Sequence, residues 1–124
     1  MISLTLPGRP ITKKNHQQII KRGKRHMIVQ SEVYQQYEQE CLWRLKAYKG
    51  PRFDPGVKVR LTARYWMPNR RSWPDLLGLL QATCDILESA GIIKNDRDVV
   101  SLDGSRIMGV DKENPRAEIR IKEI

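Results

Sequence analysis

Aspartates stand on both sides of one predicted helix, which spans residues 75–90 of this 124-residue chain. Asp75 begins the helix, and Asp96 and Asp98 lie in the polar turn that follows it. Carboxylate oxygens are ligands that Mg²⁺ prefers, and a bound cation activates water and neutralises phosphate charge. The pattern therefore indicates metal-dependent chemistry on a phosphodiester, although any one of these acids, taken alone, is more often a solvated surface group.

Two further aspartates are weaker candidates for the same site. Asp85 lies ten residues after Asp75, about 15 Å along a helix axis, so the two cannot bind one ion. Asp103 belongs to the next predicted turn. Whether Asp96 returns to the start of the helix depends on the path of residues 91–94, which the sequence alone does not determine.

The basic residues lie mostly before this helix. Residues 1–74 hold 16 Lys and Arg against 4 Asp and Glu, a net charge of +12, whereas residues 75–124 hold 7 against 10, a net charge of −3. Basic surface attracts a polyanion through phosphate contacts and counterion release. An acidic cluster close to bound nucleic acid is explained if divalent cations neutralise it.

Length and composition indicate one small domain over residues 1–124. Cys41 and Cys84 form neither a disulfide framework nor a metal-ligand pattern, which favours a reducing compartment. The chain has no apolar run of about 18 residues, and Pro7 and Gly8 interrupt its first apolar stretch. We therefore expect a cytoplasmic protein without membrane association.

The periodicity of the apolar residues predicts an α+β fold. Alternation of apolar and polar residues predicts strands at 2–6, 57–67 and 117–122, and further extended segments are expected at 99–102 and 106–110. Three- and four-residue spacing predicts a first helix capped by Ser31, and Ser72 with Asp75 has the spacing of a capping box for the second. We expect a mixed β-sheet with two main helices, in the approximate order ββαβαββ.

Two basic segments are candidates for contact with a phosphate backbone. Residues 21–25 place a glycine between two basic pairs, as at the tip of a hairpin. The polar face of the strand at 57–67 carries Lys58, Arg60 and Arg64 beside Trp66. Such a face is either simply solvated or follows a phosphate backbone.

The helix and its flanking turns resemble the RusA-type Holliday junction resolvases, a family of small phage and prophage endonucleases. The family pattern is Asp-Leu-Asp-Asn-Leu, one residue, Lys, three residues, Asp, one residue, Leu, then Gly and a pair of acids. The matching positions here are Asp75, Leu76, Leu79, Asp85, Leu87, Gly91 and Asp96. The likeness extends over most of the chain, from the early Leu-Pro-Gly-Arg-Pro turn to the Asp-Gly-Ser-Arg turn at 103–106.

The chain departs from the family pattern at four positions. The second Asp is Leu77, which also falls near the exposed side of the helix, and the following Asn is Gly78. The Lys position holds Gln81, and the first of the paired acids is Asn95. Only Asp75 and Asp96 therefore retain the metal-ligand role that the resemblance implies.

The resemblance implies a homodimer that binds branched DNA, specifically four-way junctions, and cuts it with Mg²⁺, for which Mn²⁺ can substitute. The implied catalytic residues are Asp75, Asp96 and Gln81. Asn95 and Asp98 are candidate additional metal ligands through their side-chain oxygens. The candidate DNA-binding residues are Lys13, Lys14, Lys21, Arg22, Lys24, Arg25, Arg70, Arg71, Trp73 and Arg97.

Three functions remain open at this point. The first is a Mg²⁺-dependent, structure-selective DNA endonuclease. The second is a junction- or duplex-binding protein of the same fold in which Leu77 and Gln81 have removed cleavage. The third is a small basic RNA-binding domain, which fits the charge but leaves the ordered match between residues 75 and 96 unexplained.

Overall fold

The computed structural model describes the backbone of residues 1–13, 17–22, 25–30 and 32–124, and the side chains of residues 1–13 and 32–124. The strands are β1 Ile2–Pro7, β2 Gln17–Arg22, β3 Arg25–Gln30, β4 Val59–Met67, β5 Val99–Ser101, β6 Arg106–Val110 and β7 Arg116–Glu123. The helices are α1 Glu32–Lys46 and α2 Leu76–Ser89, and a 3₁₀ helix follows at Asp96–Asp98.

Strand β4 organises the main sheet, because it pairs with three other strands. It lies antiparallel to β7 and parallel to both β5 and β6. Strand β1 extends the sheet on the other side of β7 in antiparallel register. Strands β2 and β3 form a separate antiparallel pair. The sheet is therefore mixed, as the sequence predicts.

The two faces of β4 differ in character, as its alternating sequence requires. Along the strand, every second residue from Val59 to Met67 is buried. The core joins these side chains to apolar residues of both helices, such as Cys41 and Leu45 of α1 and Leu79 and Ile86 of α2. Both helices therefore pack on the same face of the sheet.

Helix α2 ends where its sequence predicts. Gly91 has a φ of +74°, a left-handed conformation that glycine adopts without strain, and its N–H donates to the carbonyl of Glu88. The N–H of Ile92 donates to the carbonyl of Leu87, and the side chain of Ile92 is buried. The chain thus turns back along the helix towards the 3₁₀ helix.

The α+β class is confirmed, with a mixed sheet and two helices. The described residues contain three strands before α1 and three after α2, one more at each end than the approximate order ββαβαββ. Val57 and Lys58 lie before β4 rather than in it. The predicted cap Ser31 and the hairpin-tip residue Gly23 lie outside the described residues. In the described part of the chain, no helix has the length and apolarity needed to cross a membrane.

Asp98 joins the end of the 3₁₀ helix to the turn before β4. Its side chain is buried, with the residue only 5% exposed. It accepts hydrogen bonds from the backbone N–H of Gly56 at 3.1 Å and from the Lys58 ammonium at 3.5 Å. A buried carboxylate with these partners has a structural role, because its removal leaves the Gly56 N–H without its acceptor.

We predict that Asp98→Ala lowers the free energy of unfolding by about 1–3 kcal/mol, because it removes the hydrogen bond between a charged, buried carboxylate and the Gly56 N–H. Asp98→Asn serves as the matched control and should lower it by less than about 1 kcal/mol. Its amide oxygen still accepts from Gly56, and the Lys58 ion pair is weakened by solvent because the lysine is more than half exposed. Urea unfolding measures the free energy of unfolding of both variants and of the wild type. Equal stability of Asp98→Ala and the wild type would contradict the structural role.

Candidate active site at the start of helix α2

Asp75 is the N-cap residue of α2. Its backbone is extended, and its Oδ2 accepts a hydrogen bond from the backbone N–H of Gly78 at 2.9 Å. This geometry corrects the prediction that Ser72 caps the helix: Ser72 lies in the preceding loop with a φ of +48°. The exposed carboxylate of Asp75 therefore stands at the positive end of the helix dipole, where negative charge is stabilised.

Gly78 lies close to Asp75 and to the segment before the hairpin. A Cβ atom at this position would lie 2.9 Å from Cγ2 of Thr12 and 3.0 Å from Oδ1 of Asp75. Thr12 is itself buried. The glycine is therefore required for the close packing of Thr12 against the first turn of α2.

A groove of about 460 Å³ runs beside the first half of α2. Asp96, Gln81 and Ser101 are the residues with oxygen- or nitrogen-bearing side chains in its lining. Its lining residues are Leu77, Leu80, Gln81, Cys84, Asp96, Val99, Val100, Ser101 and Leu102. The turn after α2 therefore brings Asp96 to a groove that Leu77, Gln81 and Cys84 of the helix also line.

The rim of this groove is unusually apolar for a site beside an acid. Leu77 is 76% exposed, and Val100 and Leu102 are exposed with it. At that exposure, Leu77 has no packing role that would require an apolar residue. A polar or charged side chain would fit there without disturbing the core.

Gln81 is part of a polar chain across the surface of α2. Its Nε2 donates to Oδ1 of Asp85 at 3.2 Å, and Oδ2 of Asp85 forms a salt bridge with the Lys13 ammonium at 2.9 Å. The ammonium also lies 5.8 Å from the centre of the Tyr34 ring. A lysine from outside the helix thus reaches the neighbourhood of Gln81.

Cys84 lines the same groove as Asp96, but its side chain remains a thiol. Burial, together with the negative charges of Asp85, Asp96 and Glu88, raises the pKa of Cys84 to about 11. At neutral pH the thiolate population is therefore negligible, which excludes a nucleophilic role for this side chain.

Two of the expected metal ligands are occupied by structural contacts. Asn95 caps the 3₁₀ helix, and its Oδ1 accepts from the backbone N–H of Arg97 at 3.0 Å. Asp98 binds Gly56 and Lys58, as described above. The lining of the groove includes Asp96 and neither of these two residues. The expectation that Asp98 compensates for the acid replaced by Leu77 therefore has no support from the geometry.

The loop before α2 carries three of the candidate DNA-binding residues. Oδ1 of Asn69 accepts from the backbone N–H of Arg71, and Nε1 of Trp73 donates to the carbonyl of Asn69 at 2.6 Å. Arg70, Arg71 and Trp73 are exposed on this ordered loop. In the sequence, these three residues precede Asp75 by two to five positions.

The remaining candidates are distributed over other elements. Arg97 is exposed in the 3₁₀ helix next to Asp96. Lys13 binds Asp85. The backbone of Lys21, Arg22 and Arg25 belongs to the β2–β3 hairpin. Lys14 and Lys24 lie outside the described residues. Asp103 lies in the turn before β6, where its carbonyl accepts from the hydroxyl of Thr62.

Comparison with known proteins places this arrangement in a family. The family model described as Endodeoxyribonuclease RusA matches residues 7–122. This chain belongs to the RusA family. A relative from Aquifex aeolicus (strain VF5), named Crossover junction endodeoxyribonuclease RusA, is 32% identical over 96 residues, which cover 77% of this chain and 71% of that protein. The resemblance inferred from the helix pattern is confirmed.

The departures from the RusA pattern can now be placed in the structure. Leu77 and Gln81 both line the groove that contains Asp96, and Gly78 lies beneath Thr12. Among the described residues, no three acidic, His or Cys side chains lie together as a metal-binding group. Proteins often hold Mg²⁺ with only one or two carboxylates, while waters and substrate phosphates complete the shell. The two acids that the chain retains from the RusA pattern are Asp75, which caps α2, and Asp96, which lines the groove.

Sequence reasoning missed the salt bridge between Lys13 and Asp85, and it missed the contribution of β5 to the groove. Gln81 and Asp85 are four residues apart on one helix face, a spacing that predicts their contact. No local signal identifies Lys13 as the partner of Asp85, because the two residues are 72 positions apart.

We predict that Gly78→Ala destabilises the fold by about 1 kcal/mol. The new Cβ crowds the buried methyl group of Thr12, and this cost exceeds the gain in helix propensity. Thr12→Ser removes that methyl group and keeps the hydroxyl, so the double variant should recover part of the stability. Urea unfolding of both single variants and the double variant measures the coupling. Strictly additive effects would show that Thr12 is not the obstacle.

Proposed function

We propose that this protein is a magnesium-dependent, structure-selective endodeoxyribonuclease that resolves four-way DNA junctions. One observation carries the proposal: Asp96 lies in a groove that Leu77 and Gln81 of α2 also line, the two positions where the chain departs from the RusA acid and lysine. The retained acid Asp75 is the N-cap of the same helix. Membership of the RusA family supports the reaction class.

The chemistry is an attack of water on a phosphodiester. A bound Mg²⁺ supplies the Lewis acid that lowers the pKa of the attacking water and neutralises charge on the phosphate. Asp75 and Asp96 would hold the ion, and Mg²⁺ sites of this kind are usually completed by waters and substrate phosphates. Mn²⁺ substitutes for Mg²⁺ because it prefers the same oxygen ligands.

The neighbouring side chains have distinct parts in this proposal. The amide of Gln81, oriented by Asp85, hydrogen-bonds a phosphate oxygen or water in the groove. Lys13 supplies positive charge from the far side of Asp85. Arg70, Arg71 and Arg97 are exposed next to the two acids and bind the phosphates that flank the cut.

A symmetric homodimer would place two such sites on one junction, so that two strands are cut in one encounter. The homodimer is taken from the RusA resemblance, and a two-fold enzyme would explain how so short a chain makes paired cuts. Each protomer then contributes one groove, and the basic surfaces of both hold the DNA arms.

We predict that Asp75→Asn and Asp96→Asn each reduce the rate of junction cleavage by about 100-fold or more, because each removes a charge from the metal site. Asparagine is as good an N-cap as aspartate, so the Asp75 variant keeps its helix. The assay follows a labelled four-way junction and a matched linear duplex in Mg²⁺, in Mn²⁺ and in EDTA.

Glu88→Gln is the matched control for these variants. Glu88 is an exposed acid in the last turn of the same helix, and its side chain does not line the groove. The control should cut at the wild-type rate. Cleavage that persists in EDTA would contradict the metal requirement, and tight junction binding without cutting in either metal would contradict the nuclease.

We predict that Leu77→Asp strengthens the site. The side chain is exposed, so the change costs little packing, and it adds a carboxylate to the groove that holds Asp96. The Mg²⁺ concentration for half-maximal cleavage should fall about tenfold, since affinity for a hard cation rises with the number of charged ligands. Leu77→Asn controls for polarity without charge. An equal effect of both variants would show that the added carboxylate does not bind the ion.

A further inference from the structure

The face of the sheet opposite the two helices is strongly basic. On β4, β6 and β7 it carries Arg60, Arg64, Arg106, Arg116, Arg120 and Lys122. In these strands, Glu118 is the one carboxylate on that face. Strand β1 adds the exposed polar residues Ser3 and Thr5. We call this surface the open face.

The register of the strands aligns the cations in rows. Arg64 lies opposite Arg106 of β6 on one side and Glu118 of β7 on the other. Two residues along, Arg120 lies between Thr62 and Ser3. Neighbouring strands are about 4.8 Å apart, and alternate residues of one strand are about 7 Å apart. The cations therefore form a continuous basic patch.

Most of this positive charge is not neutralised within the fold. Arg116 is the exception: it forms salt bridges with Asp111 at 2.8 Å and Glu118 at 2.7 Å and stacks on Trp66 at 4.1 Å. The salt bridges found among the described residues leave the other five without a carboxylate partner. These five are Arg60, Arg64, Arg106, Arg120 and Lys122. Uncompensated like charges repel one another, and a bound polyanion relieves that repulsion.

The chemistry of the open face fits a phosphate backbone rather than unpaired bases. Base stacking requires an accessible aromatic ring. On the described part of this face the aromatic side chain is Trp66, and the guanidinium of Arg116 covers its ring. Guanidinium groups bind phosphate oxygens directly and without sequence preference. A duplex therefore fits better than a single strand.

We infer that the open face binds the backbone of a duplex DNA arm, beyond the contacts made at the groove of α2. The choice of DNA rests on the proposed function. Helix α2 packs on the buried face of the sheet. Its groove meets the open face at the edge strand β5, where Ser101 lines the groove and pairs with Arg60. DNA held at the groove can therefore continue along the cations of the open face.

The test compares two triple variants with the same change in net charge. Arg64, Arg106 and Arg120 are changed to Gln on the open face, and Arg44, Lys46 and Lys49 are changed to Gln as the matched control. All six residues are exposed, and the control residues lie at the end of α1, on the helix side of the sheet. Fluorescence anisotropy follows binding of a labelled four-way junction over a salt series in EDTA, where no cleavage occurs.

For the junction, the open-face variant should lower the slope of log affinity against log salt by about 3, since each phosphate that the protein neutralises contributes about 0.9 to that slope. The control should change it by less than about 1. Equal changes in the two variants, or an unchanged slope in the open-face variant, would overturn the inference. A slope that falls for duplex RNA but not for DNA would assign the face to RNA instead. If the open-face variant differs from the wild type in the mass measured by sedimentation but not in salt slope, the open face binds a second copy of the chain instead.

The same measurements separate this inference from the proposed function. In one outcome, the open-face variant has a reduced salt slope, but the wild-type protein does not cut the junction in Mg²⁺ or Mn²⁺. This outcome supports the open face and contradicts the nuclease. Junction cleavage that depends on Asp75, together with equal salt slopes in both triple variants, supports the nuclease and contradicts the open face.

Discussion

The alternation of side chains along β4 is the constraint on which the rest of the structure depends. One set of residues is buried and packs against both helices, and the other set faces away from them. Because β4 also pairs with three strands, it fixes the register in which the cations of β6 and β7 join those of its own polar face. A shift of one residue would bury arginines and expose the core, so the basic surface and the hydrophobic core are specified together.

Much of the fold follows from local pattern. The apolar spacing of α2 and the position of Gly91 predict the extent of that helix to within a residue, since its packing and its cap are determined by neighbours in the chain. The long strand is predicted by its two-residue period to within two residues at its start and correctly at its end. The helix start is predicted less well: Asp75 and Ser72 both suit a cap, and backbone conformation decides in favour of Asp75.

The candidate site is only partly readable from the sequence. Asp75 and Asp96 are identified by their spacing within the RusA pattern, and the turn after α2 brings Asp96 to the groove. Asp98 has the right chemistry for a ligand, but its partners come from a turn about 40 residues earlier, a contact that no local pattern reveals. The same holds for Lys13 and Asp85, which meet only because the segment before the hairpin crosses α2.

Because Gly78 and Thr12 pack so closely, the departures from the RusA pattern at positions 77 and 78 differ in how they can be reversed. A larger residue at position 78, such as the asparagine of the RusA pattern, needs space that the Thr12 methyl group occupies. Leu77, by contrast, is exposed and can change alone. A single substitution can therefore restore the family residue at position 77. At position 78 the family residue also requires a change at Thr12, which lies 66 residues away in the chain.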